Sequence, residues 1–505
     1  MEINQRRAGV ILSYSIQAVQ VLTGLVYTPI MIRILGQSEY GIYQLSYSIV
    51  TNLGLLNLGF NASYMRFYSR EKVNNNDEQI SKLNGMFMLI FLSMMVMCLV
   101  AGALLVSNLR QIVGHNFSTD EYRKMQILMI LMIINLALTF PNSVFSCIVI
   151  AHERFVFQKT VLLLQTLMSP MLSLPLLLIG YGSVGITIVS LLLTVIVLIW
   201  NGIFCIRRLK AGFIFRDLKF SILKEMFIFT FFIFLNQLID QVNWNVDKFL
   251  LGRFKGTISV AIYSVGGQIN TMYLQLSTAI SGVFIPKVNK IVAESNDTFE
   301  LSEIFRKIGR IQFVIMSFAL TIIVYFGASF IRYWVGREYG EAYYVALLLT
   351  IPVTIPLVQN IGIEIQRAQN KHQIRSLVYL MIAFANVVVS IFLVQIWGPI
   401  GAAIGTAVSL VLGNGLFMNW YYYRIMHIDI LSFWKSLSNF IPTLLITALI
   451  GIPYMLLVKN ESIFVLISAI ILYGMVFGVS VYNTGMNDDE KTHVKEIFNR
   501  ISRFC

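Results

Sequence analysis

Long apolar runs recur along the whole chain, each close to the roughly 20 residues that carry an α-helix across a bilayer's hydrocarbon core. They lie near 8–32, 41–65, 84–107, 125–151, 160–179, 184–206, 226–246, 260–285, 311–331, 343–365, 377–397, 400–423, 436–458 and 462–483. The pattern predicts an all-α polytopic membrane protein with about 14 transmembrane helices. Two other segments alternate apolar and basic positions at helical spacing: GFIFRDLKFSILKE at 212–225, and 488–504, where Val494, Ile497, Phe498 and Ile501 share one side. Both are predicted to lie as amphipathic helices on the inner leaflet. Solvated basic linkers are the plainer alternative.

One span departs from the apolar pattern. The helix beginning at 226 carries Asn236, Asp240, Asn243 and Asp247, with Lys248 next in the chain. Steps of 4, 3 and 4 place the first four on one helix face. Carboxylates are costly against lipid, so this face is expected to look onto protein or water.

The chain also matches itself at a nearly fixed shift. Leu35-Gly36 recurs as Leu251-Gly252, Phe140-Pro141 as Ile355-Pro356, Gln158 as Gln373, and Tyr181-Gly182-x-x-Gly185 as Trp397-Gly398-x-x-Gly401. Gly41-Ile42-Tyr43 matches Ala261-Ile262-Tyr263 at a shift four residues longer, which requires an insertion near Lys255. Agreement across separated regions signals duplication. A six-span unit enters twice from the same side, giving a parallel repeat about an axis along the membrane normal. The expected organisation is an N-lobe at 1–206, an interfacial linker at 207–225, a C-lobe at 226–435, two extra spans at 436–483 and a tail at 484–505. The polar face of the 226 helix maps onto Gln20, Gly24, Tyr27 and Met31 of the first helix, where Gln17 and Ser13 continue the stripe. Two such stripes facing each other would line a central cavity.

Composition fits this picture. Of 505 residues, 57% are hydrophobic and 12% charged, against roughly 25% charged in soluble domains. The net charge of +13 does not point to nucleic acid, because the basic residues stand in short blocks between apolar runs. Of 38 Lys and Arg, 28 fall on the N-terminal side of the predicted topology and 10 on the other. Both termini are therefore expected in the cytoplasm of a cell whose inner membrane holds the protein. The N-terminal run is read as an uncleaved first span. Cys98, Cys147, Cys205 and Cys505 have neither metal-ligand spacing nor the look of a disulfide framework, and Cys505 has no residues after it to form a prenylation signal.

Several residues are candidates for binding or coupling. Asp240, deepest in its helix, suits a cation, a proton or a sugar hydroxyl, or else a hydrogen-bonded packing role. Asp247 and Lys248 form either a site or a local ion pair. Arg33 suits a phosphate or a snorkelling anchor. Arg66, Glu364 and Arg367 end helices on the inner side, where an anionic head group or topology alone accounts for them. Amides such as Asn135, Gln268, Gln359 and Asn360 within spans suggest a wetted path, and Pro141, Pro175, Pro352 and Pro356 offer kinks. No metal site and no cofactor is expected. The chain lacks GxxxxGK[ST], a second His after His152-Glu153, and any outer domain able to build a catalytic site. It reads as a non-enzyme.

The stretches GLVYTPIMIRILGQSEYGIYQLSYSIV, NLGFNASYMRFYSREK and NQLIDQVNWNVDKFLLGRFKGTISVAIYSVGGQI resemble those of bacterial polysaccharide biosynthesis flippases. These are the Wzx-like members of the multidrug/oligosaccharidyl-lipid/polysaccharide exporter superfamily. The resemblance spans essentially the whole chain and implies two six-helix lobes opening alternately to either side. It also implies a cargo, an undecaprenyl-diphosphate-linked oligosaccharide moved from the inner to the outer leaflet for O-antigen, capsule or exopolysaccharide. Membrane lipids, a polysaccharide polymerase and glycosyltransferases are the implied partners. A proton or sodium ion on Asp240 is the expected means of coupling, if the cycle is coupled. A cationic cavity is expected for the diphosphate, and here the acidic face of Asp240 and Asp247 fits only in part. The rival readings are an ion-coupled multidrug or small-molecule exporter of the same fold, a membrane glycosyltransferase or polymerase, and a non-transporting assembly scaffold.

Overall fold

The computed structural model describes residues 5–74, 76–114, 117–216, 221–281, 284–295, 297–369, 371, 373–458 and 462–501. Every described element is helical. The α-helices are α1 (Gln5–Thr51), α2 (Phe60–Val73), α3 (Asp77–Ser107), α4 (Leu109–Val113), α5 (Thr119–Ala151), α6 (Phe155–Ile179), α7 (Gly182–Ile203), α8 (Ser221–Lys255), α9 (Thr257–Ser281), α10 (Ile285–Glu294), α11 (Thr298–Trp334), α12 (Ala342–Val358), α13 (Asn360–Ala368), α14 (Gln373–Leu410), α15 (Met418–Arg424), α16 (Ile430–Ser438), α17 (Ile441–Leu457), α18 (Ile463–Ser480) and α19 (Asp488–Ile501).

Among the described residues, 8 helical stretches are long and apolar enough to cross a membrane, or up to 10 if two bent pairs each count as one span. Two of the eight, Ala8–Val73 and Ile374–Arg424, each contain two of the predicted spans. Glycines break them: Gly36 (φ 73, ψ 174) inside α1 and Gly398 (φ 56, ψ −129) inside α14. Those angles are open almost only to glycine. The bent pairs, α12 with α13 at 47° and α16 with α17 at 41°, carry two more predicted spans, and α8 and α9 carry a further two.

The chain forms two compact units. The first comprises Met1–Ser264 with Ser376–Gly405, the second Val265–Arg375 with Thr406–Cys505.

In the first unit, buried aromatic residues of α2 and α3 interlock with α5. Tyr64 meets Phe87 edge to face at 5.0 Å, and Phe60, Phe67, Phe91 and Phe140 join the same core. Met226 of α8 is buried in it as well. The predicted span 41–65 is not one helix. Asn52 donates back to the Ser48 carbonyl, a 3-10 turn follows over Asn52–Asn57, and Leu58 and Gly59 take left-handed angles before α2 starts. The amphipathic helix predicted at 212–225 also differs. Residues 211–216 are a non-helical strap on α3, where the Ile214 N–H donates to the Ser81 carbonyl at 3.0 Å and the Asn84 amide to the Gly212 carbonyl at 3.0 Å. Its backbone satisfies itself against α3, which an interfacial helix would not require. Residues 217–220 lie outside the described residues, as do the side chains of Val494, Ile497, Phe498 and Ile501.

In the second unit α11 is the spine. Phe313 packs on Phe440, Phe318 on Phe477, and Phe326 on Tyr454 and Tyr473. A Cβ on Gly451 would stand 2.2 Å from the Tyr325 ring, so α17 lies flush against α11 there.

Candidate functional site

The C-terminal end of α8 carries the polar residues that the structure gathers most closely. Asp247 and Lys248 are consecutive, so they point about 100° apart around the helix. Asp247 is buried, and the Tyr263 hydroxyl of α9 donates to its Oδ2 at 2.6 Å. Lys248 turns the other way and donates to Gln44 Oε1 of α1 at 3.3 Å. Gln44 in turn donates its amide to the Tyr40 hydroxyl at 3.0 Å. The local Asp247–Lys248 ion pair is thus not formed, and among the described residues Lys248 makes no ion pair at all. A half-buried ammonium with an amide oxygen as its partner retains most of its appetite for an anion.

Around this pair, α8 and α9 are seated on the first helices. A Cβ on Gly41 would fall 2.0 Å from the Thr257 carbonyl oxygen, so the two backbones touch. Gly252 leaves room for the Leu45 side chain, whose methyl groups a Cβ there would meet at 2.6 Å. Arg253 donates to the Gln111 and Ile112 carbonyls at the end of α4, at 2.9 and 2.6 Å. Glu39 accepts from Lys124 (2.7 Å) and from the Ser183 N–H (2.7 Å) and hydroxyl (2.8 Å), so one carboxylate both pairs with α5 and caps α7. The Ser38 hydroxyl donates to Glu121 at 2.7 Å, and Thr257 reaches both at 3.4 and 3.5 Å.

The other sequence-predicted residues are spread out. The side chains of Asn236, Asp240 and Asn243 lie outside the described residues. Gln17 is half-buried and Gln20 exposed, both on the part of α1 before Gly36. Gln17 is about 28 Å before that break and Gln44 about 12 Å after it, so they are at least about 16 Å apart. Tyr27 of the same stripe bonds Ser173 of α6 at 2.7 Å. Arg33 and Arg66 are exposed. Glu364 and Arg367 pair with each other at 2.8 Å, one turn apart on α13. Among the described residues, no group of three His, Cys, Asp or Glu is placed to hold a metal.

Sequence reasoning missed Gln44, Tyr40 and Tyr263 as partners. The repeat did mark Tyr263 through Ala261-Ile262-Tyr263, but a spacing of 16 residues across a helix break gives no sign that it reaches Asp247.

An all-helical, multi-pass membrane fold with a cation half-buried among its first helices defines a class of integral membrane protein. Within that class, residues 7–292 match the family model for polysaccharide biosynthesis proteins, and the chain belongs to that family. It is 21% identical over 403 residues to a candidate O-antigen transporter of Shigella flexneri, covering 78% of this chain and 92% of that one. It is 22% identical over 204 residues to the capsular polysaccharide biosynthesis protein CapF of Staphylococcus aureus, covering 40% of this chain and 50% of that one. In structure it is similar to the lipid II flippase MurJ in an inward closed conformation, with a TM-score of 0.72 and 15% identity over 94% of this chain and 97% of the other. It is also similar to a multidrug resistance MATE family transporter of the MOP superfamily, with a TM-score of 0.63 and 15% identity over 83% and 99%. The fold is therefore the one these proteins share.

Proposed function

We propose that this protein is a flippase for an undecaprenyl-diphosphate-linked oligosaccharide, moving it from the inner to the outer leaflet of the cytoplasmic membrane by alternating access. The observation that carries the reading is Lys248, a half-buried cation without an ion pair among the described residues, in a chain of the polysaccharide biosynthesis family. In this reading all 14 predicted spans cross the membrane, both termini are cytoplasmic, and the lobes 1–206 and 226–435 rock against each other. Lys248 receives the diphosphate, while the amides and hydroxyls near it, Gln44 and Tyr40, take sugar oxygens. The lipid tail stays in the bilayer. An inside-negative potential favours outward movement of a negative head group by about 2.3 kcal/mol per charge per 100 mV. Asp240 is the proposed site for a coupling proton or sodium ion. Full flipping by Asp240→Asn in liposomes under imposed gradients would remove that role.

Deleting the gene and locating lipid-linked oligosaccharide in the membrane tests the reading. Accumulation on the inner leaflet, reversed by the wild-type gene, supports it. An unchanged distribution overturns it.

A second reading rests on Asp247, a buried carboxylate held by Tyr263, which suits export of a small cation. Its signature is a deletion strain hypersensitive to cationic drugs with normal surface polysaccharide.

A further inference from the structure

Arg310 stands on α11 one residue before the apolar run 311–331, and it is only 3% exposed. Its guanidinium holds Glu490 of α19 in a two-pronged pair, Nε to Oε1 and Nη2 to Oε2, both at 2.8 Å. Nη2 also donates to the Gly485 carbonyl at 2.8 Å, and Nη1 donates to the Ser436 carbonyl. The group lies 4.7 Å from the centre of the Phe440 ring. One side chain thus gathers the end of α16, the start of α17, the turn after α18 and the first turn of α19. The π-helical turn Val481–Gly485 leaves carbonyls unspent within its own helix, and Arg310 takes one of them. Glu490 is fixed from its own side too, since the Asn487 N–H donates to Oε2 at 2.9 Å. Next to Arg310, a Cβ on Gly309 would come within 2.4 Å of the Phe433 ring, so α16 is seated directly on α11.

We propose that Arg310 is a clamp that makes the two extra helices and the tail one rigid body with α11, so that α17, α18 and α19 travel with α11 whenever it moves. The aromatic contacts between α11 and α17–α18 hold the length of the three helices, and the clamp closes their ends. The predicted appendage is then a fixed part of the second unit. A five-donor guanidinium with two carboxylate contacts and two carbonyls is a directional joint, and removing the carboxylate leaves a buried cation unpaired.

The test uses hydrogen–deuterium exchange on the full-length protein in nanodiscs, comparing wild type with Glu490→Gln. The clamp predicts exchange faster by on the order of 10- to 100-fold through 481–501 and the end of α16, with α1–α7 unchanged. Wild-type protection of 481–501 in the variant overturns it. A second arm joins Lys307→Cys and Asp489→Cys, which line one cleft of about 350 Å³ between α11 and α19, with a reducible bis-maleimide. If the tail travels with α11, the joined protein flips cargo at the rate of the reduced one. Loss of flipping that returns on reduction shows that α19 must leave α11, and the clamp as a fixed joint is wrong. The exchange arm does not depend on the transport reading, so the two fail separately.

Discussion

Lys248 donates to Gln44 Oε1 at 3.3 Å while its chain neighbour Asp247 is taken by Tyr263 at 2.6 Å on a different side of α8. Two opposite charges adjacent in sequence are thereby kept on separate networks. Replacing Lys248 by Met removes the ammonium and keeps most of the volume. Flipping is expected to fall at least about tenfold, the scale of one lost charge-assisted contact of ~1.5–3 kcal/mol. Thermal stability is expected to hold or rise, because an unpaired half-buried cation costs free energy in the empty protein. Lys248→Arg should retain part of the activity. A glycosidase-accessibility or lectin assay of outer-leaflet sugar, run beside a melting curve, checks both. Wild-type flipping by Lys248→Met would remove Lys248 from the site.

Tyr263→Phe isolates the other network. It deletes a 2.6 Å hydrogen bond to a buried carboxylate while keeping the ring. The expected loss is about 1–3 kcal/mol of stability, because the carboxylate oxygen loses a partner where water cannot easily replace it. The effect should shrink in the Asp247→Leu, Tyr263→Phe double variant relative to Asp247→Leu alone, where no acceptor for the hydroxyl remains at 247, and a double-mutant cycle measures that coupling directly.

The repeat was the most informative part of the sequence, and the backbone shows why. Gly182 and Gly398, equivalent at the 216 shift, have φ of 57 and 56. Gly36, however, has φ 73 and its counterpart in backbone is Gly256 (φ 83), at the longer shift of the Gly41-Ile42-Tyr43 match; Gly252, which the shorter shift pairs with Gly36, is helical inside α8, so that pairing is corrected. Glycine placement at span ends was therefore legible, because a left-handed backbone leaves few other choices of residue. Span positions were legible for the same kind of reason, since hydrophobic length is a local quantity. The 3-10 turn at Asn52–Asn57 was not, because its apolar residues look like any span and the bond from the Asn52 side chain to the Ser48 carbonyl leaves no mark in the hydrophobic pattern. Gln44, Tyr263 and the Arg310–Glu490 pair were hidden too. Their partners lie on other helices, 16 to 204 residues away in the chain, and no periodicity encodes such distances.

The same glycines give a clean stability prediction. An added Cβ at Gly36 or Gly398 meets nothing within 4 Å, so substitution there probes backbone strain alone. Gly36→Ala and Gly398→Ala are each expected to cost about 1–3 kcal/mol. Gly267, helical and equally open, is the control. Gly267→Ala should be neutral or stabilising by up to about 1 kcal/mol. Melting temperatures of the three variants in one detergent decide it, and equal melting of all three would show that the breaks adapt.

Acid should loosen the tail. Burial pushes the Glu490 carboxyl up, but Arg310 and the Asn487 N–H outweigh it and hold the group below its usual value, helped by Lys307. A carboxyl depressed on folding contributes stability that is present above its unfolded value, near 4.3, and is lost as pH falls through the folded value. Protection of 481–501 in the wild type should therefore be flat from pH 7 to about 5 and decline below the unfolded value. Glu490→Gln should lack that decline and start from the loosened level. A parallel decline in the variant would assign the acid effect to other groups.

The contact between α1 and the α8–α9 junction separates alternating access from a static pore. Ser38 and Thr257 lie with hydroxyls 3.4 Å apart, Ser38 beyond the Gly36 break and Thr257 at the start of α9. If the two lobes rock, residues 38 and 257 belong to opposite lobes and must separate when that end opens. Two cysteines at these positions are close enough to form a disulfide with little movement. In protein carrying Ser38→Cys and Thr257→Cys, oxidation is expected to stop flipping and reduction to restore it, with binding of cargo at the other end retained. Each single variant under oxidant should flip normally. Gly41→Ala, which drives a methyl group into the Thr257 carbonyl, should act in the opposite sense and weaken closure at this end, seen as faster labelling of Thr257→Cys by a membrane-impermeant thiol reagent. Undiminished flipping by the oxidised double variant would mean that this end does not open during the cycle, and the rocking of two lobes would have to be given up.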